Sequence, residues 1–251
     1  MKSRGRKQKN ENFITMITKS ELQYLDIEFK YTFSSPIGPL AGERYIQDIA
    51  VEIIKTDENG NNPVIIGKGN VKILLLSQAM NDHYDIFEIF DTESYTMRIG
   101  NMIYDFDNYE IKEDLQRKLF GDDMMINPNI CIFERMMILP EYRGLGIGAK
   151  FVKDRFHYFN TACGLIVMQP FPLQLESSHA LGRDNEFESK MGYDEMEHDS
   201  RKAMKSLKDY YKRIGYITVR GYKDLMFLIP DFKNDKLDAI DLEESLINPK
   251  P

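Results

Sequence analysis

The sequence has few cysteines and histidines and no long apolar run. Its two cysteines, Cys131 and Cys163, lie in apolar segments that are typical of strands, so we expect buried, reduced thiols. The four histidines show no metal-ligand spacing, so no metal site is expected. No run approaches the roughly 18 apolar residues of a membrane span. No apolar segment follows the basic N-terminus as a secretory signal requires, and we expect a cytoplasmic protein without a membrane partner.

The charge balance also excludes one class of partner. The 251 residues carry a net charge of −7, and 42% of them are hydrophobic, an ordinary fraction for a globular protein. Broad nucleic-acid binding needs clustered lysine and arginine, so no nucleic-acid partner is expected. The negative charge instead suits a basic or amine-bearing partner.

The length predicts one large domain with extensions. Residues 1–40 are expected to form an N-terminal extension that is basic and partly disordered. The domain itself is expected at 41–230, with a helical insertion at 78–128 and an exposed acidic loop at 176–200. Residues 231–251 are expected to form a mobile tail or a loosely docked helix.

Two early segments predict an antiparallel hairpin. Arg44 to Lys55 and Val64 to Leu76 are rich in isoleucine and valine and are separated by a turn sequence. Gly67 and Gly69, inside the second segment, indicate a bulge or a close approach of another chain segment.

The central pattern of the sequence is a strand, a glycine-rich turn and a helix. Ile130 to Pro140 is an apolar run typical of a buried strand, and Arg143-Gly-Leu-Gly-Ile-Gly148 follows it. Ala149 to Phe159 then has its apolar residues on one side of a helix. Glycines let the backbone approach a ligand, and the first helix amides point outward without internal partners. This order predicts a phosphate or pyrophosphate site at residues 143–149.

Two common phosphate motifs fit this turn poorly. The P-loop needs a glycine immediately before its lysine, and Lys150 follows Ala149. Gly144, Gly146 and Ala149 fit the dinucleotide pattern Gly-x-Gly-x-x-Ala, which expects an acidic residue about 20 positions later to hold the ribose. The corresponding region, Val167 to Phe171, contains no acid.

A third motif fits in two places. Arg143-x-x-Gly146-x-Gly148 resembles the Arg/Gln-x-x-Gly-x-Gly/Ala signature of the GNAT superfamily of N-acetyltransferases, and Ile138 to Arg143 looks like the end of that family's fourth strand. Tyr210-Tyr-Lys-Arg-Ile-Gly-Tyr216 resembles its second signature, an aromatic helix end followed by glycine, an aromatic residue and a strand. The resemblance covers roughly residues 130–229. It implies an α+β class with the GNAT (acyl-CoA N-acyltransferase) fold, a mixed, mostly antiparallel central sheet with splayed strands four and five flanked by helices.

The resemblance also implies a donor site for acetyl-CoA between those splayed strands. Backbone groups of Met137 and Ile138 are expected to pair with the pantetheine amides. The amides after Arg143 are expected to hold the pyrophosphate. The residues of this turn that are expected to bind acetyl-CoA are Arg143, Gly144, Leu145, Gly146, Ile147, Gly148 and Ala149. Lys150 or Lys153 is expected either to neutralise the nucleotide phosphates or to lie on a solvated helix face.

Two residues are candidates for proton transfer. Glu134 is the candidate general base, because in a regular strand it shares a face with Ile138, four positions later. The alternative is a structural ion pair with an arginine, and a strand bulge would change the parity. Tyr211 aligns with the family's tyrosine that protonates the departing thiolate, the alternative being simple packing. Met204 lies where the family often has asparagine, so one contact of the family to CoA or to the substrate is not expected here.

The expected function is therefore transfer of an acetyl group from acetyl-CoA to a primary amine by direct attack. The acceptor is a small-molecule amine or a protein, and the acidic segment 176–199 favours a basic one. The alternative is a GNAT-fold binding or regulatory protein without efficient catalysis. Either a monomer or a homodimer is compatible with the sequence.

Overall fold

A mixed six-stranded sheet forms the centre of the protein. A computed structural model describes residues 26–35, 42–57, 59–176 and 185–242. The strands are β1 Asp26–Phe33, β2 Ile46–Thr56, β3 Val64–Leu74, β4 Tyr104–Asp105, β5 Glu110–Ile111, β6 Ile130–Ile138, β7 Leu165–Met168 and β8 Met226–Leu228. The main sheet has the order β1-β2-β3-β6-β7-β8, and β4 pairs separately with β5. Within the main sheet, β6–β7 is parallel and the other neighbouring pairs are antiparallel. The predicted α+β class with a mixed, mostly antiparallel sheet is confirmed.

Helices cover both faces of this sheet. They are α1 Leu76–Asn81, α2 Ile86–Phe90, α3 Ser94–Ile103, α4 Glu113–Phe120, α5 Ile147–Phe159, α6 Asn185–Glu188, α7 Ser200–Ile214 and α8 Asp235–Asp238. Short 3-10 helices lie at Gly42–Tyr45, Pro140–Tyr142, Leu173–Leu175 and Tyr193–Glu195. Among the described helices, none is long and apolar enough to cross a membrane.

Successive side chains of β6 point to opposite faces of the sheet and pack into two separate apolar cores. Ile130 and Ile132 pack on the face covered by α1 to α4, which we call the α3 face. Cys131 and Phe133 pack on the opposite face against α5 and α7, which we call the α5 face. Both cysteines are buried and free, as expected. A strand that is apolar on both sides is buried between two layers, which explains the continuous apolar run at its start.

Several predicted elements are confirmed. The hairpin predicted at 44–76 is the antiparallel pair β2–β3. A Cβ on Gly67 would lie 2.7 Å from the Ile53 side chain, so this glycine marks a close approach. Gly215 ends α7 in the left-handed conformation with φ 114°, as a C-cap should.

The predicted domain boundaries need correction at both ends. Residues 26–33 form β1, the edge strand paired with β2, so the sheet begins inside the predicted extension. The basic arm at 1–10 lies outside the described residues. At the other end Leu237 of α8 is fully buried, and the Asn234 side-chain amide donates to the Gly215 carbonyl at 3.0 Å. This part of the predicted tail is therefore docked onto the core.

The two predicted additions to the domain are also parts of its core. The segment 78–128 contains α2, α3, the β4–β5 hairpin and α4, which bury their apolar residues against the sheet. In the acidic segment, Phe187 and Met191 are buried against the end of β6, so this part is packed and not an exposed loop. Residues 194–199 are exposed apart from the half-buried Met196, as predicted. Residues 177–184 of that segment lie outside the described residues.

Candidate functional site

The site lies where β6 and β7 part. Their parallel pairing ends at Phe133 and Met168, yet β6 continues to Ile138. After β7 the chain leaves the sheet through Pro170 and Pro172, which cannot donate ladder hydrogen bonds. A cavity of about 1220 Å³ occupies the resulting gap, bounded by the two strands, the turn before α5, and α7.

One end of this cavity is the glycine-rich turn. Gly144 and Gly146 have φ of 75° and 80°, a conformation that glycine adopts readily. In the described part of the chain, no backbone hydrogen bond uses the amides from Gly144 to Gly148 as donors. The amide of Ala149 donates to the Gly146 carbonyl at 3.0 Å, so the predicted set of free amides ends one residue earlier. The turn is thus a cradle of outward-pointing donors at the start of α5.

Gly148 lets α7 come close to this cradle. A Cβ at this position would lie 2.5 Å from the Tyr210 hydroxyl and 3.1 Å from the Met136 side chain. Burial raises the pKa of Tyr210, so its hydroxyl stays neutral at physiological pH and adds a side-chain donor beside the amides. In the sequence, Tyr210 is expected to replace Tyr211 as the proton donor only if the helix register shifts by one residue.

Arg143 lines the cavity, but its guanidinium braces the turn. Its Nε donates to the Ile138 carbonyl at 2.8 Å, and a terminal nitrogen donates to the Met191 carbonyl at 2.6 Å. Burial lowers the pKa of Arg143 from its ordinary value. These contacts make it a structural clamp between β6 and the segment after α6.

Met137, which is predicted to contact pantetheine through its backbone, turns its backbone away from the gap. Leu139 donates its amide to the Ile66 carbonyl of β3, so by alternation Met137 also turns its backbone toward β3. Met136 and Ile138 turn theirs toward the gap, and both line the cavity. Met137 and Leu145, both predicted donor-site residues, are absent from the cavity wall.

A β-bulge determines the position of Glu134. Val71 pairs with Phe133 and Asn70 with Arg135, which leaves Glu134 as the extra residue of β6. The alternation that should place Glu134 on the face of Ile138 is therefore broken. Its carboxylate turns toward the α3 face while still lining the cavity, because the bulge lies where the strands part.

The Glu134 carboxylate is held from one side. The Asn70 side-chain amide donates to its Oε2 at 2.6 Å, and Lys72 Nζ lies 3.8 Å from the same oxygen. Lys72 is only 3% exposed and also contacts Asp48 at 2.7 Å and Glu93 at 3.0 Å. Desolvation lowers the pKa of Lys72, but these carboxylates outweigh it and raise the pKa above 10.5. Within the described ranges Glu134 Oε1 has no hydrogen-bond partner, which leaves it available to a ligand or water.

Among the described residues no arginine pairs with Glu134, and its neighbour Arg135 binds two other carboxylates. Arg135 binds Glu176 at 2.7 Å and Glu188 at 3.0 Å. Two carboxylates of the acidic segment are therefore neutralised beside the cavity. This pairing weakens the inference from the acidic segment to a basic acceptor.

Tyr211 reaches the cavity from the α5 face. It is buried among Phe133, Tyr210 and Tyr216, with ring centroids 5.2 to 6.2 Å apart. Desolvation, followed by the neighbouring tyrosines, raises the pKa of Tyr211 well above its ordinary value. Its hydroxyl therefore keeps its proton throughout the physiological range.

The predicted phosphate lysines instead dock the C-terminal segment. Lys150 Nζ donates to the carbonyls of Asp241 and Leu242, and Lys153 pairs with Asp238 at 3.0 Å. Arg213 and Lys236 are further basic residues of the cavity wall, and Lys236 Nζ donates to the Lys212 carbonyl at 3.0 Å. Only the docking of the C-terminal segment brings Lys236 there, so no local sequence pattern could identify it.

Comparisons with known proteins add nothing to this geometry. No family model, curated protein or solved structure matches the chain. The functional assignment depends on the residues described above.

Proposed function

We propose that this protein is a GNAT-type N-acetyltransferase, transferring an acetyl group from acetyl-CoA to a primary amine. One observation carries the proposal: the gap between β6 and β7 joins a cradle of amides, which have no backbone partner among the described residues, to a carboxylate and a neutral tyrosine. Both sequence signatures of the resemblance border this same gap. The combination suits a ligand with an anionic end and a reactive end.

The donor end fits a pyrophosphate attached to an extended amide chain. The amides of Gly144 to Gly148 would bind the phosphates, since helix N-termini favour anions. Arg213 and Lys236 would add positive charge near them. The Ile138 amide, facing the gap at the edge of β6, would hold a pantetheine carbonyl in the manner of a strand neighbour. Acetyl-CoA would supply the acyl group as a thioester.

Glu134 is the proposed general base. An amine attacks a thioester only in its neutral form, so an ammonium substrate must first lose a proton. Glu134 would take this proton at Oε1, directly or through a water, while Asn70 and Lys72 hold Oε2. The amine nitrogen then bonds to the thioester carbonyl carbon and releases its second proton to water, and the carbon–sulfur bond breaks with its electron pair going to sulfur.

Tyr211 is the proposed acid for the departing sulfur. Its raised pKa keeps the hydroxyl protonated, so it can donate a proton or a hydrogen bond to the thiolate. Glu134 and Tyr211 would thus act from opposite faces of the gap, one on each reaction partner.

Calorimetric titration of acetyl-CoA, paired with a thiol-release assay on an amine panel, tests this proposal. Gly146→Glu would place a carboxylate in the cradle at a φ of 80°, and we expect at least a hundredfold weaker binding. Gly60→Glu is the matched control: it has a similar φ of 72° but lies in the open β2–β3 turn, so binding should be unchanged. No binding to wild type would refute the donor site, and binding without thiol release would favour a regulatory protein.

A further inference from the structure

The segment at residues 234–242, which we call the docked segment, is fixed against two helices. The Asn234 side-chain amide donates to the Gly215 carbonyl at the end of α7, at 3.0 Å. Leu237, in the middle of the segment, is fully buried. At the other end, Lys150 of α5 donates to two carbonyls of the segment at 2.8 and 2.9 Å. The docked segment therefore spans from the end of α7 to the start of α5.

The docked segment forms part of the cavity wall beside the cradle. Lys236, Ala239 and Ile240 all line the cavity. The contact with Lys150 fixes where they lie, because Lys150 directly follows Ala149, which lines the cavity at the end of the cradle. The cavity is thus bounded next to the amides by residues that lie far from them in the sequence.

Arg213 adds a positive charge to the same wall. It lies in the last turn of α7, is exposed and lines the cavity. Burial raises the pKa of Tyr210 and the Arg213 charge opposes this rise, so the guanidinium lies near the Tyr210 hydroxyl. That hydroxyl would lie 2.5 Å from a Cβ on Gly148. An anion bound in the cradle would therefore have the Arg213 charge close to it.

This wall has the chemical composition that a nucleotide requires. Ala149, Ala239 and Ile240 offer aliphatic surface on which a planar base can pack, and none of the three is fully buried. The Arg213 guanidinium can pair with a phosphate or stack on a ring. In the proposed donor site the pantetheine arm extends from the cradle into the gap. The part of acetyl-CoA on the other side of the cradle is its adenine nucleotide.

We propose that the docked segment and Arg213 form the subsite for the adenine nucleotide of the acyl donor, so that residues 234–242 select acyl-CoA over acyl-phosphopantetheine. This inference rests on the proposed donor site and adds to it a segment outside residues 130–229, the part that resembles the GNAT superfamily. Lys150 and Lys153 act as positioning residues, because they hold the docked segment, Lys153 through Asp238 at 3.0 Å.

Two donors test the inference with one amine as the acceptor. S-acetyl-4′-phosphopantetheine keeps the thioester, the pantetheine arm and one phosphate of acetyl-CoA but lacks the adenine nucleotide. Wild type should have a kcat/KM for acetyl-CoA about a hundredfold above that for the shorter donor. Most of this difference should appear in KM, because the nucleotide lies at the far end of the donor from the thioester. Calorimetric titration of each donor measures the same preference without turnover.

Ile240→Ala assigns this preference to the docked segment. It removes aliphatic surface from the wall, and we expect about tenfold weaker binding of acetyl-CoA with unchanged binding of S-acetyl-4′-phosphopantetheine. Leu242→Ala is the matched control, because it shortens an aliphatic side chain of the same segment that is 39% exposed and does not line the cavity. It should bind both donors as wild type does.

Hydrogen exchange of the docked segment gives a second reading that does not depend on catalysis. The amides of Asp238, Ala239 and Ile240 donate to carbonyls within the segment at 2.8, 3.0 and 3.2 Å. A ligand that packs on this segment stabilises these bonds against local opening. Acetyl-CoA should therefore slow the exchange of these three amides, whereas S-acetyl-4′-phosphopantetheine should leave it unchanged.

Equal affinity of wild type for the two donors would overturn the inference while leaving the cradle and acetyl transfer in place. Equal losses for both donors in Ile240→Ala, or the same loss in Leu242→Ala, would also overturn it, because they would indicate a general structural defect. Exchange slowed equally by both donors would mean that the nucleotide does not contact the segment. Absence of binding of both donors to wild type would refute the proposed donor site itself, and this inference with it.

Discussion

The two faces of the gap are built in different ways. On the α5 face, the amides of Gly144 to Gly148 come from one continuous turn, and Tyr211 comes from one helix end. On the α3 face, Glu134, Lys72 and Glu93 come from three separate segments. A ligand site made by local backbone geometry leaves a pattern in the sequence, whereas a site assembled by tertiary contacts does not.

The two faces also differ in how their polar groups are satisfied. The donors of the α5 face are backbone amides at a helix start, where unpaired N–H groups occur in every helix. The α3 face instead holds a buried lysine with three carboxylate neighbours. The first kind of site suits an anionic ligand, whereas the second holds one carboxylate in a defined position.

Glu134→Gln should produce the largest effect and tests the α3 face directly. The amide is nearly isosteric with the carboxylate but cannot accept the amine proton, so we expect kcat to fall about a hundredfold. The affinity for acetyl-CoA should stay unchanged, because the cradle lies at the other end of the cavity. A thiol-release assay measures kcat, and calorimetric titration of the same sample measures the affinity for acetyl-CoA.

Asp48→Asn is the control for this change. Asp48 contacts the same Lys72 but is 54% exposed and does not line the cavity, so turnover should be nearly normal. If both variants lost activity equally, the Lys72 cluster would matter only for folding. A fully active Glu134→Gln protein would remove Glu134 as the base.

The secondary structure of the α5 face follows closely from the sequence, whereas the roles of several single residues there do not. The hairpin, β6, the turn and α5 follow from apolar periodicity and glycine spacing, and their bounds differ by only a few residues. The error at Ala149 came from a 3-10 bond within the first helical turn, which no periodicity reveals. The choice of Met137 failed because backbone direction depends on the register with β3.

The α3 face could not be predicted in the same way. The bulge at Glu134 exists because β3 and β6 slip by one residue, a property of two strands that are far apart in sequence. Lys72 looks like an ordinary strand residue until Glu93 and Asp48 are placed around it. Gln169 carries no motif, and only the parting of β6 and β7 places it in the cavity wall.

Tyr211→Phe should have a smaller effect and tests the α5 face. Loss of the hydroxyl removes a proton donor to the thiolate, and we expect kcat to fall about tenfold, since water can partly replace it. The raised pKa of Tyr211 also predicts that the wild-type rate does not fall between pH 8 and pH 10 through loss of this proton. Tyr104→Phe is the control, because it also removes a buried tyrosine hydroxyl but lies outside the cavity wall, and it should behave as wild type in both measurements. If the wild-type rate fell between pH 8 and pH 10 and this fall were absent from Tyr211→Phe, Tyr211 would be losing its proton in that range. This result would contradict its assignment as an acid that stays protonated.

Lys72→Met should change stability by a modest amount and links the α3 face to folding. Lys72 is buried, but Asp48 and Glu93 are about half exposed, so we expect the free energy of unfolding to drop by only about 1–2 kcal/mol. Because the carboxylates raise the pKa of Lys72 above 10.5, the protonated lysine stabilises the folded state fully below that pH. This stabilisation is lost as the pH rises through the folded-state pKa.

Urea unfolding of wild type and Lys72→Met at pH 8 and pH 11 measures this linkage. The difference between the two proteins should be largest at pH 8 and shrink at pH 11. The raised pKa values of the buried tyrosines also make stability depend on pH, and this contribution is the same in both proteins and cancels. A difference that stays constant with pH would mean that Lys72 stabilises the protein through packing of its alkyl chain. In that case Glu134 would be positioned by Asn70 alone, and Asn70→Ala should then lower kcat more than Lys72→Met does.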